Sequence, residues 1–97
     1  MRKIIFDRVF EWDDEKNKAN LKKHGISFES AVYVFEDQNY VEFPDEFHSD
    51  KELRYKVIGM VDKLLLVICT DREDVTRIIS ARKANAQERR LYNDYRA

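Results

Sequence analysis

Six consecutive apolar residues, Leu64-Leu65-Leu66-Val67-Ile68-Cys69, constrain this chain more than any other feature. Successive side chains of a strand point to opposite faces, so a run with no polar position reads as a strand covered on both sides. Two further β-type segments flank it, Leu53 to Val61 and Val75 to Arg82, separated from it only by Asp62-Lys63 and by the polar stretch Asp71 to Asp74. Connections this short make antiparallel neighbours. The run is therefore the expected central strand of an antiparallel sheet, and other parts of the chain must supply a layer for each face. One candidate cover is Ala84 to Arg96, helical by propensity, with Leu91, Tyr92 and Tyr95 in a narrow apolar stripe.

The N-terminal half supplies the other cover. Lys3-Ile4-Ile5-Phe6 through Val9-Phe10-Glu11-Trp12 is β-branched and aromatic but interrupted by Asp7 and Arg8, so it reads as one short strand or two pieces. Asp13 or Asp14 can cap a helix over Glu15 to His24 that Gly25 closes. Leu21 is its only large apolar residue, so contacts from Trp12 and Ile26 are expected to hold it down. Ser27 caps a second helix with Phe28, Ala31, Val32 and Phe35 on one stripe, and Tyr40 to Phe43 form a short strand ended by Pro44. The expected fold is α+β over a single domain, residues 1–97: a curved antiparallel sheet with two N-terminal helices on one face and a C-terminal helix near the other.

Composition removes several function classes. There is no glycine-rich phosphate loop, the lone Cys69 gives no disulfide and no cysteine-based zinc site, and His24 and His48 stand apart. Asp45, Asp50 and Glu52 could be scattered metal ligands but read better as a solvated acidic surface, so neither metal nor cofactor is expected. No apolar run approaches the ~20 residues that span a bilayer, and no secretory leader pattern opens the chain, so a cytoplasmic protein is expected. The formal net charge of −1 conceals polarity. Seven acids stand against two bases from Glu36 to Arg54, and six bases against two acids from Arg77 to the end.

The remaining chemistry is cationic and carried by strands. Glu52, Arg54 and Lys56 alternate and share a face, and Arg77 is set among Val75, Ile78 and Ile79, where an unpaired charge would be costly. Register decides whether they meet: with Thr70 opposite Val75, Arg77 lies on the face away from Arg54 and Lys56, and with Thr70 opposite Asp74 it joins them. The joined cluster would suit a phosphodiester and the charge that develops on it. Simpler readings stand beside this one. Arg54 with Glu52 can be an ordinary surface ion pair. Lys22, Lys23 and His24 suit the last turn of a helix through its dipole. His48 reads as a solvated loop histidine, Arg89 and Arg90 as a solvated or partner-binding helix face, and Cys69 as core.

Taken in order, these residues resemble a family. Phe10-Glu11-Trp12-Asp13, Asn20-Leu21-Lys22-Lys23-His24-Gly25-Ile26-Ser27-Phe28-Glu29, Ala31 and Val34-Phe35-Glu36-Asp37 are similar to the opening of BrnT-type toxins. Asp45 with His48, Glu52-Leu53-Arg54 and Ile58-Gly59 resemble the middle motif, and Arg77 through Ala84, Glu88-Arg89-Arg90 and Tyr92 the closing one. The resemblance implies a RelE-like fold and a ribonuclease toxin of a type II toxin-antitoxin system that arrests translation. It also implies a BrnA-type antitoxin as partner, with operator DNA bound only through the antitoxin complex. Carried onto this chain, it marks Lys22, His24, Glu52, Arg54 and Arg77 as catalytic and Arg82, with Lys56 and Lys83, as RNA-binding. Arg89, Arg90 and Tyr92 become the antitoxin surface. Asp14 departs from the proline common at that position, and the segment before Phe10 is longer than the motif requires. The expected reaction is metal-independent attack of a ribose 2'-hydroxyl on the adjacent phosphate. A non-catalytic module that binds nucleic acid or a partner through its basic quarter is the alternative.

Overall fold

A computed structural model describes residues 1–5, 7–46 and 52–96; His48, Asp50 and the rest of the Phe47–Lys51 loop lie outside the described residues. Strands β1 (Arg2–Ile5), β2 (Arg8–Glu11), β3 (Val41–Pro44), β4 (Arg54–Val61), β5 (Lys63–Arg72) and β6 (Val75–Lys83) form one sheet in the order β1-β2-β6-β5-β4-β3. Helices α1 (Asp14–His24) and α2 (Phe28–Ala31) follow β2, and α3 (Ala86–Arg96) ends the chain. As the apolar run requires, β5 is central.

Of the two readings of the N-terminal segment, two pieces is the one found, with β1 and β2 turned at Asp7 in the left-handed region (φ 62°). Two expectations change. The second helix is only one turn of α-helix before it tightens into a 3₁₀ helix over Val32–Glu36, where consecutive bulky side chains, two of them β-branched, crowd an ordinary α-turn. The sheet is not wholly antiparallel, because β2 lies parallel to β6. The chain leaves β2 into α1 and returns to the sheet at the far edge, so β2 meets β6 without a hairpin.

Alternation sorts the core into two layers. Val57, Leu65, Val67, Cys69, Ile78 and Ala81 pack with Phe10, Trp12, Ile26, Phe28, Val32 and Val34. Burial pushes the Cys69 thiol well up, consistent with a core residue. On the other face Ile58 and Leu66 pack with Tyr92, flanked by Leu91. The Tyr92 hydroxyl donates to Asp37 (2.6 Å), whose same oxygen accepts from the Met60 N–H (2.8 Å), so α3 is fastened across the sheet. At its other end Asn85 and Glu88 form a reciprocal cap (2.8 and 2.9 Å). Glu88 also grips Arg82 of β6 through two hydrogen bonds (2.8 and 2.9 Å).

Helix α1 is held by polar side chains. Leu21 is 51% exposed, whereas Asn20 is buried. Its amide donates to the Ile26 and Ala81 carbonyls (2.9 and 2.8 Å) and its oxygen accepts from the Ala81 N–H (3.2 Å), filling the edge of β6 beyond the end of β2. The hairpin is held by Arg8, whose guanidinium lies 4.0 Å from the Phe35 ring centroid and donates to Thr76 Oγ1 (2.9 Å).

The register of β5 with β6 follows neither expected alternative. Arg72 faces Val75 across the turn at Glu73-Asp74, Thr70 faces Arg77 and Cys69 faces Ile78; the ladder then skips Ile79, so that Ile68 faces Ser80 and Leu66 faces Arg82. Ile79 is a β-bulge residue. Residues at odd spacing, Arg77 and Arg82, thereby come to the same face of the sheet, the one that carries Arg54 and Lys56.

Two measurements check this architecture. A Cβ added at Gly59 would lie 2.8 Å from both Cβ and O of Val34, so Gly59→Ala should lower stability in urea by about 1–3 kcal/mol with an unchanged m-value. Partial burial raises the Glu88 carboxyl, but hydrogen bonds from Arg82 and the Asn85 N–H outweigh it and hold the group below the ordinary glutamate range. A folded value below the unfolded one stabilises above about pH 4.3 and is lost as pH falls through the folded value. Glu88→Gln keeps the cap, so the stability gap to the parent should be largest at neutral pH and close on acidification; a gap constant into acid would contradict the ion pair.

Candidate functional site

Three cross-strand rows on the face that α3 only half covers build the site. Arg54, Thr70 and Arg77 form the first, Lys56, Ile68 and Ser80 the second, and Ile58, Leu66 and Arg82 the third. Directly opposed residues share a face. A cavity of about 390 Å³ opens over the rows, lined by Arg54, Lys56, Arg82, Asp45 and Ser80 above an apolar floor of Leu66, Ile68 and Ile79. Asp45 enters from the end of β3, where its N–H donates to the Arg54 carbonyl (2.9 Å) and continues the ladder past Pro44. Its residue is 1% exposed.

Each arginine has a carboxylate beside it. Glu52 lies 3.9 Å from Arg54 and 3.2 Å from Arg72. Glu88 holds Arg82, raising the guanidinium further, chiefly through the hydrogen bond. Glu11 of β2 holds Arg77 at 2.5 Å and Arg2 at 3.1 Å. Burial raises the Glu11 carboxyl, and the hydrogen bonds from Arg77 and then Arg2 override it to give a net lowering. A guanidinium has five N–H donors, so one occupied by a carboxylate still presents others in a fixed orientation. Lys56 lines the same cavity and makes no ion pair among the described residues.

The structure brings Arg54, Lys56 and Arg82 together and leaves other sequence candidates apart. Glu52 touches Arg54 but does not line the cavity, and Arg77 shares the face while turning its guanidinium to Glu11. Lys22 and His24 occupy the last turn of α1, whose contacts are with β6 and α2, and neither lines the cavity. Lys83 faces Leu65, on the helix-covered side, opposite to Arg82. Arg89 and Arg90 are exposed on α3, while Tyr92 is 2% exposed and anchors that helix from within. Sequence reasoning gave no catalytic or binding role to Ser80, Glu88 or Glu11, and it weighed Asp45 only as a scattered metal ligand, a solvated acid and a motif residue beside His48. Ser80 lacked a signal because its face depends on the bulge.

The cavity's chemistry is that of an anion site with an apolar floor, a carboxylate and a hydroxyl, which suits a phosphodiester with its attached bases. Comparison with curated proteins gives no match. Among solved structures, the 1.1 Å crystal structure of the Brucella abortus ribonuclease toxin BrnT matches 78% of this chain and 95% of its own, with a TM-score of 0.63 at 23% identity, a likeness of fold. Residues 12–88 match the family described as ribonuclease toxin, BrnT, of type II toxin-antitoxin systems, a span that includes every residue lining the cavity. The chain belongs to the BrnT family of ribonuclease toxins of type II toxin-antitoxin systems.

Proposed function

We propose that this protein is a metal-independent endoribonuclease of RelE-like type, cytoplasmic in action, which arrests translation by cutting RNA at the cavity over β4, β5 and β6. The observation that carries the reading is the convergence of Arg54, Lys56 and Arg82 with Asp45 in one cavity. The 2'-hydroxyl oxygen attacks the neighbouring phosphorus as its proton passes to the Asp45 carboxylate. Arg54 and Arg82 take up the charge that grows on the phosphoryl oxygens, and the bond to the 5'-oxygen breaks as Lys56 supplies its proton, leaving a 2',3'-cyclic phosphate and a 5'-hydroxyl. Fixed cations thus do the electrostatic work within the chain's own side chains. DNA has no 2'-hydroxyl to attack.

Glu52 is then the group that orients Arg54, and Arg77 serves the RNA on the adjoining row. A BrnA-type antitoxin is the proposed partner, with operator DNA contacted only by the antitoxin in the complex. The exposed Arg89 and Arg90 on α3 support that docking face, which Tyr92 upholds from beneath. Lys22 and His24, away from the cavity, carry no catalytic step in this scheme. No helix of the described residues is long and apolar enough to cross a membrane.

Purified protein should cleave a single-stranded RNA in EDTA, and a single 2'-deoxy substitution at the scissile position should block the cut. Arg54→Ala and Lys56→Ala should each slow cleavage by about 10²–10³ with an unchanged circular dichroism spectrum. Intact RNA with the parent protein, or full rates in both variants, would sink the assignment.

A further inference from the structure

The arginine row does not stop at Arg77. Register continues it through Glu11 of β2 to Arg2 of β1, so that Arg54, Thr70, Arg77, Glu11 and Arg2 lie in line across five strands on one face. At the ~4.8 Å spacing of paired strands the line is about 19 Å long. Beside it runs a second row, Ile4, Val9 and Val75, ending at Arg72. The open face of a sheet ordinarily carries polar side chains, yet Ile4 is 74% exposed here. Rows on one face are two residues apart, about 6.8 Å.

We infer that β1 extends the RNA-binding face, with phosphates of a single strand running along the arginine row to Arg2 while bases lie over Ile4, Val9 and Val75. Three observations support it. The row is continuous with the cavity, because Arg54 belongs to both. Glu11 bridges Arg77 and Arg2 and so orients both guanidiniums on the same face, while the Arg2 side chain remains 66% exposed. The apolar row lies on the same side as the charged one, so a strand bound by its phosphates places its bases over aliphatic surface. As a bare surface ion pair, Arg2 with Glu11 would contribute little to stability. Arg2 lies before the family-matched segment, residues 12–88. The inference rests on the nuclease reading for its ligand, a single-stranded RNA several nucleotides longer than the cleaved step.

The test is binding of fully 2'-O-methylated single-stranded RNA, which lacks the nucleophile, to the full chain over a range of salt. Oligonucleotides of roughly 4 and 12 nucleotides bracket the footprints of single-strand binders. The parent should bind the longer one more tightly and with a steeper salt dependence. Arg2→Ala should weaken the longer complex about three- to tenfold and lower its slope by about 0.7, as for one lost phosphate contact, and Arg2→Glu should weaken it further. Parent-like affinity and slope in both variants would overturn the inference. So would loss of antitoxin binding in Arg2→Glu with RNA binding intact, which would make the edge a protein-docking surface. Cleavage of unmodified RNA, followed in parallel, separates the two readings: cutting with a silent Arg2 removes only the extension, whereas Arg2-dependent binding without cutting removes only the nuclease.

Discussion

One extra residue in one strand determines the chemistry of this face. Side chains of a regular strand alternate, so Arg77 and Arg82, five positions apart, would point to opposite sides of the sheet. The bulge at Ile79 breaks that parity and turns Arg82 from the helix-covered side to the open one, beside Lys56 and Ile68. Ser80 comes with it. Lys83 is turned the other way by the same step, which leaves it facing Leu65. Ile79 itself helps to form the floor of the cavity.

A second constraint is electrostatic. Grouping arginines on a small body is unfavourable unless each has a counter-charge, and here Glu52 before β4, Glu88 of α3 and Glu11 of β2 supply them. The pairing explains how a chain with a net charge of −1 can present a cationic cavity. It also ties the site to the fold. Glu88 caps α3 while holding Arg82, and Glu11 belongs to the strand that docks parallel to β6, so the C-terminal helix and the strand beside β6 also orient the arginines of the site.

Much of this was legible in the sequence where the signal is local. The run Leu64 to Cys69 announced a central strand with two covered faces, Gly25 and Asp13 marked the ends of α1, and the alternation of Arg54 with Lys56 placed both on one face. What stayed hidden depends on pairing between distant segments. A bulge has no reliable residue signature, so neither register written from the sequence was the one found. The parallel docking of β2 against β6 and the anchoring of α1 through Asn20 bring together residues more than 60 positions apart. Asp45 looked like a solvated acid because nothing local shows that the ladder continues past Pro44 and carries it inward. Lys22 and His24 carry the family's pattern, yet their helix packs away from the cavity.

The central claim is that the face created by the bulge is where RNA lies. An NMR titration of the full chain with a 2'-O-methylated RNA, following backbone amides, tests it most directly. The largest shifts should fall at Arg54, Lys56, Ser80 and Arg82, with Lys22 and His24 unmoved. Shifts gathered on the end of α1, with the Ile79 bulge and its neighbours silent, would contradict it.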